Sequence, residues 1–525
     1  MPLLLPLLLA SPALLQTSGD TRIDHAVVVH AENSIEGLSE TEFRRIFRAS
    51  QQFWPGNRPI ELLMPKTGSS AKAVLLERVY GMNSNQLKRF WMKLIYQNKI
   101  SSMPRTVGSA VVTSRMVERI GSSIAIVPDP DLLEGAGVKR VSIDGKLPGD
   151  PDYGLWTTPD LAAQADIPGR RRPTEASARL EAWEDASDPD PFPTLEVRLF
   201  GHGEFEYEKE TTSGGVEKMS GFSIESLDTL VTSALSEHYS VLAEAIVERE
   251  EDGSYRVELE RLLLKARYND LLNVSFGRFL TGIGYWNSRY NHGEWLQTSI
   301  DRPEVLDFED DTGLLPLHSV GISVEGAHHS EHASVDYTVE ITNGRGPVQS
   351  MVQSGADANR SKALNLRLGV EPACVPGLRF GGGVYLDTLP ENTDAAEGPL
   401  HGEVDETIEN IFIAYENADW ELMGEYFWLE HDESGALAKS KGWFVQVGRR
   451  LGDWTPYVRL DGLDRSDDTT YLDSTDDGET VAIGLRRELG GSSALTIQYE
   501  NAEITADDGE VEETDTLVAQ FSFAL

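Results

Sequence analysis

SVDYTVEIT, residues 334–342, alternates strictly: Val335, Tyr337, Val339 and Ile341 share one face of an extended chain, and Ser334, Asp336, Thr338 and Glu340 share the other. LNLRLGV (364–370) repeats the pattern with Leu364, Leu366, Leu368 and Val370 against Asn365 and Arg367, and ALTIQYE (494–500) sets Leu495, Ile497 and Tyr499 against Thr496, Gln498 and Glu500. Alternation of this kind suits a half-buried strand in a soluble sandwich as well as a membrane barrel, so the connections have to decide. From Thr194 the pattern predicts sixteen strands. Brief connections follow the even-numbered ones, whereas long acidic stretches follow most odd-numbered ones: 209–221, 281–313, 343–361, 388–405, 463–477 and 503–514. An even strand number, with short turns at one end and long loops at the other, is what an outer-membrane barrel with both termini in the periplasm requires.

Composition agrees. The mean hydropathy is slightly negative, and after the first fifteen residues no run approaches the roughly 20 apolar residues of a membrane-spanning helix. A barrel hides its lipid-facing residues at alternate positions and keeps a polar average. The net charge of −40 is unevenly spread: residues 1–160 hold 18 Lys/Arg against 16 Asp/Glu, leaving 28 against 70 for the rest. No concentrated basic face is present, which argues against a nucleic-acid partner. The lone Cys374 forbids an internal disulfide and reads as a small side chain in a turn.

The expected organisation is a signal peptide over 1–20, an α/β domain over 22–150, a linker over 159–193 and a barrel over 194–525. MPLLLPLLLASPALLQ is a short apolar run with a small-x-small site at Ser11 to Ala13, as in a secretory signal, although it lacks a basic n-region. Beyond Asp24, HAVVVHAE reads as a strand, Ser39 to Glu42 as a capping box opening a helix, and PIELLMP as a second strand. Asn83 or Ser84 caps a helix carrying Leu87, Phe90, Trp91 and Leu94, another helix runs from Val111 to Ile120, and SIAIVP closes the series. Alternating strands and helices make this an α/β unit. Residues 159–193 are rich in Pro, Ala and charge without apolar periodicity.

The segment LSETEFRRIFRASQQFWPGNRPIELLMPKTGSSAKAVLLERVYG resembles the phosphate-binding-protein-like domains of the periplasmic binding protein superfamily, over about residues 22–146. The resemblance implies oxyanion binding at Thr67, Gly68, Ser69 and Ser70, where a helix N-terminus favours an anion such as phosphate. The alternative is that Ser69 and Ser70 simply cap the helix, in a domain too small for the two lobes of a complete binding protein.

The second part is similar to porin-type proteins, including phosphate-selective porins, and the ending TLVAQFSFAL resembles the C-terminal strand of outer-membrane proteins, though it closes on Leu525 rather than an aromatic. WELMGEYFWLE (420–430) carries Trp420, Tyr426 and Trp428 on one face, as aromatic girdles would. The long segment after the fifth strand matches by position the third loop, which in general porins folds inward. The resemblance places Arg289, His292, Glu294 and Arg302 at a pore constriction; otherwise that loop plugs the lumen with its charges paired.

Arg367, Arg459, Arg261, Lys265 and Arg267 are expected to face the lumen, whereas the acidic loops would draw cations to the outer mouth. His328, His329 and His332 read as a solvated turn. No catalytic set, cofactor or metal site is expected. The functional expectation is passive passage of small solutes or an inorganic anion across the outer membrane, with lipid around the barrel and a homotrimer as one assembly. The rival is an occluded barrel anchoring a periplasmic binding or tethering domain.

Overall fold

The computed structural model describes residues 22–132, 137–158, 194–210, 216–250, 252–308, 313–349, 351, 357–396, 398–472, 474, 476–506 and 509–525. The expected signal peptide and linker lie outside these residues.

Sixteen antiparallel strands close into a barrel. In order they are Glu196–Glu210, Val216–Ala234, Tyr239–Arg249, Tyr255–Asn269, Leu272–Leu280, His318–His329, Ala333–Thr342, Ala363–Pro372, Leu378–Leu389, Val404–Glu416, Trp420–Glu433, Ala436–Arg449, Trp454–Asp464, Asp477–Glu488, Ser493–Thr505 and Val511–Ala524. The first pairs with the last, from Phe200 opposite Ala524 to Glu210 opposite Thr514, so no sheet edge is left open. The faces settle the choice that alternation leaves open. In the seventh and eighth strands Val339, Ile341, Leu364, Leu366 and Leu368 are exposed, whereas Thr338, Glu340, Asn365 and Arg367 are buried. A soluble sandwich buries the opposite set. An apolar exterior around a closed barrel needs lipid to cover it, and this is a membrane-spanning barrel.

Turns after the even strands are short: Asp270 and Leu271 alone join the fourth to the fifth, and 417–419 join the tenth to the eleventh. Cys374 lies exposed in such a turn, between the eighth and ninth strands. On the opposite side, two stretches expected as long loops are shorter than predicted. The second strand already begins at Val216, and the fifteenth reaches Thr505 before the sixteenth starts at Val511. The ladder continues outward there because polar cross-strand pairs, such as Tyr499 and Asn501 with Asp515, hold it beyond the apolar belt.

The N-terminal unit is built on a small mixed sheet. Ile23–His30 lies antiparallel to Ser123–Pro128 and to Val138–Ile143, and Glu61–Pro65 runs parallel to Ser123–Pro128 and to Arg105–Val107. The strand Val138–Ile143 lies beyond the expected closing strand. Among the described residues four α-helices accompany the sheet: α1 (Glu40–Phe47), α2 (Ser70–Val74, continuing as a π-helical stretch Leu75–Tyr80), α3 (Ser84–Tyr96) and α4 (Ala110–Arg119). Capping boxes at Ser39 with Glu42 and at Asn83 with Gln86 satisfy the first free N–H groups of α1 and α3. Phe43, Ile46 and Phe47 of α1 pack with Leu87 and Trp91 of α3 in the core of this unit.

Candidate functional site

Helix α3 has two apolar faces. Leu87 and Trp91 face its own unit, while Met92, Ile95 and Tyr96 belong to a second cluster with Phe200, Leu230, Leu242 and Leu263 of the barrel. Full burial of such side chains contributes about 1.5–3 kcal/mol each, which makes the end of α3 an anchor in the barrel mouth. Its C-terminal carbonyls meet cations from the wall: Arg261 donates to the Tyr96 carbonyl at 2.6 Å, and Lys265 to that of Asn98 at 2.6 Å. These two lumen cations, expected to face a solute, therefore serve the docked helix.

Around the anchor runs a polar rim. Arg89 pairs with Glu488 at 2.7 Å, Lys93 with Glu416 at 3.3 Å and Lys99 with Glu325 at 2.5 Å. The Gln52 N–H donates to Asp270 at 2.7 Å, and Arg45 bonds the Ser330 carbonyl. Burial pushes the Asp270 carboxyl up to about 6. His329 sits between Ser334 and the Ser50 carbonyl, so it belongs to this rim. Every one of these barrel partners lies at the short-turn end, and the N-terminal unit covers that mouth.

The loop after the fifth strand, over its described residues 281–308 and 313–317, folds into the lumen. Buried irregular backbone must find partners for its N–H and C=O groups, and the charged wall supplies them. Glu425 accepts from the N–H groups of Tyr285 and Trp286, both at 2.6 Å, and Glu340 from that of Gly282 at 2.9 Å. Arg459 donates to the carbonyls of Ile300 and Asp301 at 3.0 Å, and Arg486 to that of Trp295 at 2.7 Å. Tyr285, Trp295, Leu296 and Leu306 join the same apolar cluster as the end of α3, so the loop and the helix meet in the lumen.

The four residues expected at a constriction are spread along this loop. Arg289 stacks over Tyr285 with its guanidinium 3.6 Å from the ring centroid and donates to the Tyr285 carbonyl at 3.2 Å. Arg302 covers Phe308 at 3.3 Å and bonds the Leu306 carbonyl at 2.8 Å. His292 approaches Glu260 at 3.1 Å, and Glu294 lies 3.8 Å from His202. Each is engaged within the loop or with the wall.

The expected anion turn lies on the N-terminal unit. Ser69 caps α2 by accepting from the Lys72 N–H at 3.2 Å, and its own hydroxyl donates to the Lys66 carbonyl at 2.8 Å. Ser70 pairs at 3.0 Å with His25; burial pulls that imidazole down to about 4, leaving it neutral at neutral pH. Thr67 and Gly68 precede the cap, Gly68 with φ of 82°. Burial also draws Lys72 down to about 8. Both serine hydroxyls are thus already used.

Between the N-terminal unit, the inner loop and the wall lies a cavity of about 860 Å³. Its lining holds 14 Arg/Lys against 11 Asp/Glu, the reverse of the balance in the whole chain, and it includes Arg45, Arg48, Arg289, Arg367 and Arg379. Sequence reasoning did not single out Arg48 or Arg379, or the rim residues Arg89, Lys93 and Lys99. Their one legible signal is the contrast between a near-neutral first part and a strongly acidic second.

No family model and no curated relative matches this chain. Among solved structures it is similar to an anion-selective porin from Comamonas acidovorans, with 12% identity, a TM-score of 0.44, and 63% of this chain and 100% of that one covered. It is also similar to OmpF of Salmonella typhi in complex with daunomycin (9% identity, TM-score 0.44, 63% and 98% covered) and to OprB of Pseudomonas putida (10% identity, TM-score 0.41, 63% and 94% covered).

Proposed function

We propose that this is a capped channel of the outer membrane of a Gram-negative-type bacterium, passing small solutes passively, with its short-turn mouth and N-terminal unit in the periplasm. The observation that carries the reading is the insertion of Met92, Ile95 and Tyr96 into the barrel beside a net cationic chamber. A solute entering the lumen has to pass the inner loop and leave through that chamber, where surplus positive charge lowers the energy of an anion. Phosphate is one anion of suitable size and charge. The Thr67 to Ser70 turn contributes to capture only if a ligand displaces the existing partners of Ser69 and Ser70.

Single-channel recording of the full chain in planar bilayers tests this reading. Small, infrequent openings are expected for the wild type, becoming larger or longer when docking is weakened by Ile95→Ala, with a reversal potential favouring anions in a salt gradient. A bilayer that stays silent for both proteins would instead support the rival, an occluded anchor carrying a periplasmic module. That second reading draws on the continuous apolar cluster shared by the loop and α3.

A further inference from the structure

Where the inner loop crosses the fourth and sixth strands, three metal-ligating side chains converge from three segments. Glu260 comes from the wall, His292 from the loop and His318 from the first residue of the sixth strand. The Nε2 atoms of His292 and His318 lie 3.1 and 2.7 Å from the same oxygen of Glu260, and the three ligand atoms fall within 4.8 Å of one another. The Glu260 side chain has no exposure, and both imidazoles converge on one of its oxygens. Two imidazole nitrogens and a buried carboxylate oxygen gathered at one point from three segments are arranged as ligands of a shared cation would be.

A second, independent observation lies beside them. Asn291 is wholly buried, holds a left-handed φ of 33°, and has an Oδ1 atom without a partner. Its Nδ2 stands 3.3 Å from His318 Nε2. The two ends of an amide are interchangeable in shape, so turning it over puts an oxygen donor beside His318 Nε2. Phe308 stacks on His292 at 4.5 Å and also faces His318 at 6.3 Å, forming an apolar wall that fixes the rings.

We propose that Glu260, His292 and His318 bind a divalent first-row transition metal ion of the zinc class, which staples the inner loop to the barrel wall. Two imidazoles and one carboxylate, with a fourth position for water or Asn291, match the tetrahedral preference of zinc. Hard ions such as calcium and magnesium want six or more oxygen donors, and a ligand set with one carboxylate, Glu260, does not provide them. The site does not depend on the barrel conducting, since a staple serves an occluded barrel equally well.

The test uses the full chain in detergent, stripped with chelator, dialysed against zinc and analysed for metal by mass spectrometry. One zinc ion per chain is expected, with calcium and magnesium not retained. Glu260→Gln and His318→Ala, each checked for folding by heat-modifiable migration, should weaken retention at least about 100-fold, because even outer-shell changes cost 10- to 100-fold. A measurement on the wild type alone keeps the test decisive if those variants fail to fold: bound Cu²⁺ should show superhyperfine coupling to two imidazole nitrogens in its electron paramagnetic resonance spectrum. A folded wild type that retains no zinc, folded variants that retain as much as the wild type, or a copper spectrum without two coupled nitrogens would each overturn the proposal.

Discussion

Two segments fill the same lumen by different physics. The inner loop is held through its backbone, with wall carboxylates accepting from its N–H groups and wall guanidiniums donating to its carbonyls. Helix α3 satisfies most of its backbone internally, so it docks chiefly through three apolar side chains and a rim of ion pairs, with Arg261 and Lys265 of the wall meeting the carbonyls at its C-terminal end. Removing a loop contact strands buried polar groups, whereas undocking the helix exposes the apolar side chains of Met92, Ile95 and Tyr96 and takes the carbonyl partners from Arg261 and Lys265. The loop is thus held mainly through its backbone, and the helix mainly through its side chains.

The sharpest way to break that distinction is Glu425→Ala, which leaves the buried N–H groups of Tyr285 and Trp286 without an acceptor. A loss of about 2–6 kcal/mol in denaturant unfolding of the whole barrel is expected, and less for Glu425→Gln, which keeps one acceptor. An unfolding midpoint within about 1 kcal/mol of the wild type would show that the loop is not held this way.

Ile95→Ala should act on the other segment alone. Deleting this fully buried side chain is expected to cost about 2–5 kcal/mol of docking, seen as faster amide exchange over Met92–Tyr96 with the barrel midpoint unchanged. Destabilisation of the barrel by the same amount would mean that α3 is as integral as the loop.

Smaller effects should come from the rim. Arg89→Ala, removing a pair whose partners are 20% and 17% exposed, should loosen docking by about 1 kcal/mol, with the difference from wild type shrinking as salt is raised. A loss that is insensitive to salt would assign the contribution of Arg89 to packing over Trp295 instead.

The smallest expected signal concerns pH. Burial in the docked state holds the Asp270 carboxyl at about 6, above its ordinary range, although the Gln52 and Phe53 N–H groups pull the other way, so the protonated acid fits the docked state better. Its favourable contribution is complete below about pH 4 and is lost as pH rises through about 6. Amide exchange over α3 should therefore be slower at pH 4.5 than at pH 7 after correction for intrinsic rates, and Asp270→Asn should remove that part of the difference. An unchanged pH profile in the variant would acquit Asp270.

Much of the wall was legible in the sequence. Val339, Leu364 and Leu366 stand outward and Thr338, Glu340 and Asn365 inward, as their alternation predicts, because a pleated strand permits only two directions. The capping box at Ser39 is equally local, and so is the cap of α3, which the sequence leaves open between Asn83 and Ser84 and the structure gives to Asn83 with Gln86. The strand Val138–Ile143 was missed because VKRVSI is short and weakly patterned, and it is held by pairing with Val27–His30 across more than a hundred residues. Arg261 and Lys265 were correctly placed in the lumen, but what they bind there is the end of a helix from another part of the chain.

By itself, then, the sequence determined the strand count, the two faces of each strand and the difference between the two ends of the barrel. These follow from a period of two and from loop lengths, which are properties of contiguous residues. Only the tertiary structure decided that the second apolar face of α3 enters the barrel, that the inner loop meets it there, and that Glu260, His292 and His318 share one point. Periodicity reports which residues leave water, whereas their partners are chosen by closure of the sheet, which brings together segments that no local pattern connects.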